Sequence, residues 1–83
     1  MPLFLDIHNK VDGATSEGVA EAHKRDLAVQ AKYGANFSKY WLDETSGRIS
    51  CLVEAPNIET VNRVHGEAHG LLADEVFEVT EGG

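Results

Sequence analysis

Phe37-Ser38-Lys39-Tyr40-Trp41-Leu42-Asp43-Glu44-Thr45-Ser46-Gly47-Arg48-Ile49-Ser50-Cys51-Leu52-Val53-Glu54-Ala55 is the stretch on which the fold turns. It reads as two strands, Phe37 to Glu44 and Arg48 to Ala55. A turn at Glu44-Thr45-Ser46-Gly47 joins them, with its glycine late in the loop. Strands joined by so short a loop pair antiparallel. On the second strand Ile49, Cys51 and Val53 alternate with Ser50, Leu52 and Glu54. On the first, Phe37, Lys39, Trp41 and Asp43 share one side, and Ser38, Tyr40 and Leu42 the other. Both strands carry apolar residues on both sides, which predicts a sheet covered on two faces.

Upstream, Leu3, Leu5 and Ile7 alternate with Phe4, Asp6 and His8, again at strand period. The more apolar set, Leu3, Leu5 and Ile7, is expected to face the interior. Phe4, Asp6 and His8 then point the other way. Asn9 to Ala14 reads as a loop turning at Asp12-Gly13. Thr15 or Ser16 caps a helix that runs to about Tyr33 and stops at Gly34. At about 100° per residue, Val19, Ala22, His23, Asp26, Gln30 and Tyr33 share one face. A helix used only for packing carries Leu or Ile there. His23, Asp26 and Gln30 therefore imply a polar pocket or a mutually bonded cluster, since buried polar groups need partners. The alternative is a partly solvated face anchored by Leu27.

Downstream, Pro56-Asn57 ends the third strand and caps a helix from Ile58 to about His69, closed by Gly70. Its apolar stripe is Ile58, Val61, Val64 and Ala68. His65 falls in the middle of that stripe and His69 at its border. Gly66 at mid-helix costs about 1 kcal/mol against Ala, which a close approach by another group would explain. Asp74 to Thr80 is the last strand, with Glu75, Phe77 and Val79 on one side and Val76, Glu78 and Thr80 on the other.

The order is β-α-β-β-α-β, the ferredoxin-like pattern of an α+β fold. Right-handed crossovers put both helices on one face of a four-stranded antiparallel sheet. The other face is left open, with Asp6 and His8 joined there by Lys39, Trp41, Leu52 and Glu54. A second copy, packed sheet against sheet about a two-fold axis, is the simplest cover for it.

The chain has 83 residues, read as a single domain over 1–83, and a chain this short buries a limited core. The hydrophobic fraction of 42% argues for a globular fold. A net charge of −7 without clustered Lys or Arg argues against nucleic acid or an anionic membrane as partner. The single Cys51 has no internal disulfide partner, which suits a reducing compartment. No stretch reads as membrane-spanning or as a signal, so the cytoplasm is the expected location.

The chemistry concentrates in the histidines. His65 and His69, four residues apart, lie on neighbouring turns of one helix face, a spacing that can chelate a transition metal. It is not the metalloprotease motif, because Gly66, not Glu, directly follows the first His. His65 on an apolar stripe equally reads as a satisfied core histidine, and His69 as a cation at a helix C-terminus. His8 with Asp6 on the open face becomes a site if a two-fold axis brings a second pair close, or else is an interface hydrogen-bond pair. His23 with Asp26 reads either as a metal ligand with its carboxylate or as an oriented histidine in a small-molecule pocket.

Several stretches together resemble a family of small bacterial nickel-binding proteins with a dimeric ferredoxin-like fold, formerly known only as a domain of unknown function. They are Leu3-Phe4-Leu5-Asp6-Ile7-His8, Ala22-His23-Lys24-Arg25-Asp26-Leu27 and Lys39-Tyr40-Trp41-Leu42-Asp43-Glu44. Cys51-Leu52-Val53-Glu54-Ala55-Pro56, His65-Gly66-Glu67-Ala68-His69-Gly70 and Asp74-Glu75-Val76-Phe77-Glu78-Val79 complete the set. The resemblance implies a homodimer and transition-metal binding, with nickel as the metal and sites near the dimer interface. It implies no known reaction. Imidazole suits nickel, zinc and copper, and aspartate and water complete an octahedral shell. The metal candidates are thus Asp6, His8, His23, His65 and His69, for Ni²⁺ or alternatively Zn²⁺.

A small dimeric enzyme of monooxygenase or isomerase type is the competing expectation, by analogy of fold. There His23 is the general base, Asp26 its orienter, and Tyr40 or Gln30 a donor to substrate oxygen. Cys51 reads as a buried small hydrophobe rather than a nucleophile. Trp41 and Tyr40 read as packing or dimer contacts.

Overall fold

In the computed structural model, which describes residues 1–83, the elements follow the expected order. They are β1 (Leu3–His8), α1 (Ser16–Val29), β2 (Asn36–Asp43), β3 (Arg48–Glu54), α2 (Ile58–Ala68) and β4 (Glu75–Glu78). The strands form one sheet in the order β2-β3-β1-β4, every neighbouring pair antiparallel. Two crossovers of this kind leave both helices on one side, which is the ferredoxin-like α+β arrangement.

Local chemistry sets the helix limits. Thr15 Oγ1 accepts from the Gly18 N–H and opens α1; Asn57 Oδ1 accepts from the Thr60 N–H and opens α2. After α1 the chain tightens into a 3-10 turn, Gln30–Tyr33, and Gly34 ends it at φ 68°. Gln30 Oε1 then accepts the Phe37 N–H at 2.8 Å, tying the helix end to β2. Gln30 is thereby a structural residue and does not line the cavity described below.

The core lies between sheet and helices. Phe4, Val19, Phe37, Ile49, Cys51, Val53, Val61 and Val64 are buried in one cluster. Leu27 and Ile58 are exposed, so neither anchors its helix. The buried residues of α1 are Val19 and Asp26 alone. The polar stripe predicted for α1 is therefore the inward one.

One expectation is reversed. Phe4, Asp6 and His8 face the helices and are buried, while Leu3 and Leu5 lie half-buried on the open face. Ile7 is buried too, but outside the main core cluster. Strand alternation groups residues by face without saying which face is inner. Here the helices carry the polar partners, so the polar set turns toward them. A second difference is a β-bulge. Phe37 pairs with Val53 and Lys39 with Leu52, leaving Ser38 as an extra residue. The bulge puts Phe37 on the core side with Tyr40 and Leu42, and leaves Lys39 and Trp41 on the open side.

The open face is consequently rich in apolar surface. Trp41 is 53% exposed and Phe77 50%, flanked by Leu3, Leu5 and Leu52. At the hairpin tip, Gly47 has φ 79°, and its carbonyl accepts the Val11 N–H at 2.9 Å. A Cβ there would stand 2.7 Å from the Val11 carbonyl oxygen. Gly66 has no such neighbour: a Cβ would meet Leu72 at 3.5 Å, an ordinary contact. No helix is long and apolar enough to cross a membrane.

Candidate functional site

Beneath the helices, β1, α1 and α2 bring five ionisable side chains into one buried chain. Its centre is His65, whose ring spans two carboxylates. Nε2 lies 2.9 Å from Asp6 Oδ2, and Nδ1 lies 3.0 Å from Asp26 Oδ1. On one side, His8 Nε2 sits 3.3 Å from Asp6 Oδ1, too poorly aligned to be a hydrogen bond. On the other, His69 Nε2 is 3.1 Å from Asp26 Oδ1. The Leu71 N–H donates to His69 Nδ1 at 3.1 Å. That bond assigns the His69 proton to Nε2, from which it is donated to Asp26.

The charges follow from these contacts. With a carboxylate at each ring nitrogen, His65 donates twice and is an imidazolium. Burial opposes that charge, but the bonds to Asp26 and Asp6 override it and raise the ring to about 11. Burial likewise opposes ionisation of Asp6 and Asp26. The bonds from His65 and its neighbours outweigh it, and both stay below the usual carboxylate range. Cys51, the cross-strand neighbour of Asp6, is different. Burial pushes its thiol up to about 11, so it is a neutral thiol, not a nucleophile.

The donor atoms have the dimensions of a metal site. His65 Nδ1, Asp26 Oδ1 and His69 Nε2 form a triangle with sides of 3.0, 3.1 and 3.2 Å. Ligands at right angles about 2.1 Å from an ion stand about 3.0 Å apart, so the triangle matches one face of an octahedron. Two imidazoles and one carboxylate on a face is a donor set suited to divalent transition metals. His65 Nε2–H would remain on Asp6, the carboxylate behind a ligating histidine that fixes its ring. A second group, Asp6, His8, Cys51 and His65, also falls within ligand-forming distance. Within it Asp6 Oδ1 is buried without a hydrogen-bond partner, 3.3 Å from His8 Nε2, so the carboxylate has a lone pair free for a cation.

Of the residues singled out in the sequence, Asp6, His8, His65 and His69 are thus assembled within one subunit. Asp6 and His8 lie under the helices rather than on the open face, where a two-fold axis was expected to complete them. His23 stands apart from both ligand groups, with its ring 4.9 Å from that of Tyr40 and its Nδ1 buried and unpartnered. Asp26 turns its carboxylate to His65 and His69, not to His23 one turn away. The sequence reading paired Asp26 with His23; its pairing with His65 and His69 was not foreseen, and its place on the inward stripe of α1 was the available signal. A cavity of about 200 Å³ adjoins the cluster, lined by Asp26, His65 and His69 together with His8, His23 and Tyr40.

Comparison with known proteins identifies the family of the chain. The model of a family described as nickel responsive protein SCO4226-like matches residues 4–79. A solved structure, the crystal structure of SCO4226 from Streptomyces coelicolor A3(2), is similar over 98% of this chain and 99% of that one. The identity is 42% and the TM-score 0.90. No curated protein sequence matches the chain. The chain belongs to the SCO4226-like family of nickel-responsive proteins.

Proposed function

We propose that this protein binds a divalent transition metal, nickel, through Asp26, His65 and His69, and works as a non-catalytic homodimer. The triangle of donors with 3.0–3.2 Å sides carries the reading. The description of the family as nickel-responsive supports the choice of metal. Zinc is the alternative, since the same ligands suit it. Binding requires both ligating nitrogens to be bare: His65 releases its Nδ1 proton, and the His69 proton moves from Nε2 to Nδ1, displacing the Leu71 N–H that now donates there.

The dimer forms through the open face of the sheet. Trp41 and Phe77 are half exposed there beside Leu3, Leu5 and Leu52, an apolar patch that a second copy covers. Because Asp6 and His8 lie on the other side of the sheet, the ion is held within each subunit, not between them.

The cavity lends some support to a second reading, a metal-free enzyme with His23 as base and Tyr40 as donor. Its third member, Asp26, is engaged elsewhere, which favours the metal.

Calorimetric titration of Ni²⁺ and Zn²⁺ into metal-stripped protein tests the reading, beside Asp26→Asn, His69→Ala and the surface control Glu59→Gln. Tight binding, about one ion per subunit, is expected in the parent and the control and lost in the other two. Binding that survives in Asp26→Asn and His69→Ala would place the metal elsewhere and overturn the assignment.

A further inference from the structure

Three protein donors on one face leave the opposite face of an octahedral ion without protein ligands. Asp26, His65 and His69 all line the same cavity, so the cavity would give a further ligand its way to an ion they held. The cavity's volume is about 200 Å³. Much of its wall cannot hold water in place. Val19, Ala22, Ile49 and Leu71 are apolar, and a water ordered there lacks the two to four polar partners it needs. A cavity with an ion-binding cluster and hydrophobic walls suits a molecule with a chelating head and a short apolar body.

Charge narrows the class. Asp6 and Asp26 balance a divalent ion, and both histidines are neutral once His65 has lost its Nδ1 proton and His69 carries its single proton on Nδ1. A monoanionic chelator then brings one negative charge to a neutral centre, whereas a multiply charged one is penalised by burial.

Resting on the metal assignment above, we infer that the Asp26–His65–His69 centre takes a small monoanionic chelating organic acid into this cavity, as a ternary complex of protein, metal and acid. The acid's oxygens fill positions on the ion, and its apolar part lies against Val19, Ala22 and Ile49. Recognition of the metal would then depend on the company it keeps.

Salicylate is a suitable probe, with a two-oxygen head on a single ring. It would be titrated into nickel-loaded and into metal-stripped protein, followed by calorimetry and by the visible ligand-field bands of Ni²⁺. The nickel-loaded protein is expected to bind salicylate at least tenfold more tightly than the stripped protein, with a shift of the bands. Ala22→Phe, which fills the cavity and keeps the three ligands, should retain nickel and lose salicylate. A ligand-side control needs no variant: 3,5-di-tert-butylsalicylate keeps the chelating head but exceeds the cavity, and should not bind. Unshifted bands, equal affinity for both protein forms, removal of the nickel by salicylate, or binding of the bulky analogue would each overturn the ternary complex. A protein that takes up no nickel at all would instead sink the metal assignment, and this inference with it.

Discussion

The two faces of the sheet invert the usual division between inside and outside. Under the helices, β1 presents Asp6 and His8 beside Phe4; toward the open side it presents Leu3, Leu5 and Ile7. The ionisable residues are the more deeply buried set. They stay there because they satisfy one another, with His65 as the cation between two carboxylates. Leu3 and Leu5 stay part-exposed because, in the proposed dimer, that face is only the edge of one subunit. One face is closed by hydrogen-bonded charge within the chain; the other leaves apolar area that the proposed second copy would cover.

That contrast is most easily broken at His65. His65→Ala leaves Asp6 and Asp26 buried without a cation and should cost about 3–5 kcal/mol in urea unfolding, if the variant folds at all. A loss below about 1 kcal/mol would mean that the cluster is solvated and the inversion unreal. The same contact is legible in the pH profile of the metal-stripped protein. His65 is raised from 6.5 to about 11, so its contribution is complete below pH 6.5 and is lost as pH rises toward 11. Asp6 and Asp26 are lowered from 3.8, so their contribution is present above that value and is lost as pH falls below it. Urea stability should therefore plateau between about pH 4 and 6.5. An unchanged stability up to pH 10 would contradict an imidazolium at this position.

On the other face, the double variant Trp41→Glu/Phe77→Glu should weaken the dimer by at least about a hundredfold, about 2.7 kcal/mol, as read by sedimentation. Nickel binding should be unaffected, because the ligands lie on the opposite side. Loss of both together would show that the faces are not independent. Asp6→Asn, which keeps size but not charge, should cost about 1–3 kcal/mol and weaken metal affinity through the His65 ring. The finest comparison is made in the monomeric double variant. There Val53→Ala on the helix side should cost about 2 kcal/mol, and Leu5→Ala on the open side under about 1 kcal/mol. Equal costs would mean that the open face has packing of its own.

Much of this was legible in the residues, for identifiable reasons. Element order and helix limits followed from strong local signals: the Thr15 and Asn57 caps, the Gly34 stop, and the short loop before Gly47. The helical projection that joined Val19, Ala22, His23 and Asp26 found the inward stripe of α1. Inner and outer were not legible on β1, because a period of two is symmetric and Leu3, Leu5 and Ile7 look like core. The bulge at Ser38 was equally hidden, and it moved Phe37 to the opposite side from the one its parity implied. The partners of Asp26 were hidden for another reason. His65 lies 39 residues away, and proximity at that separation belongs to the fold.

The glycine at the hairpin tip reaches further than its own turn. Gly47 accepts the Val11 N–H, and its missing side chain is what lets the two backbones meet. Val11 is also part of the cavity wall. One part of that wall is thus set from the far end of the hairpin, by a residue that does not itself line the cavity. A larger residue at position 47 would push on Val11, so a change read as a turn defect would emerge as a reshaped cavity.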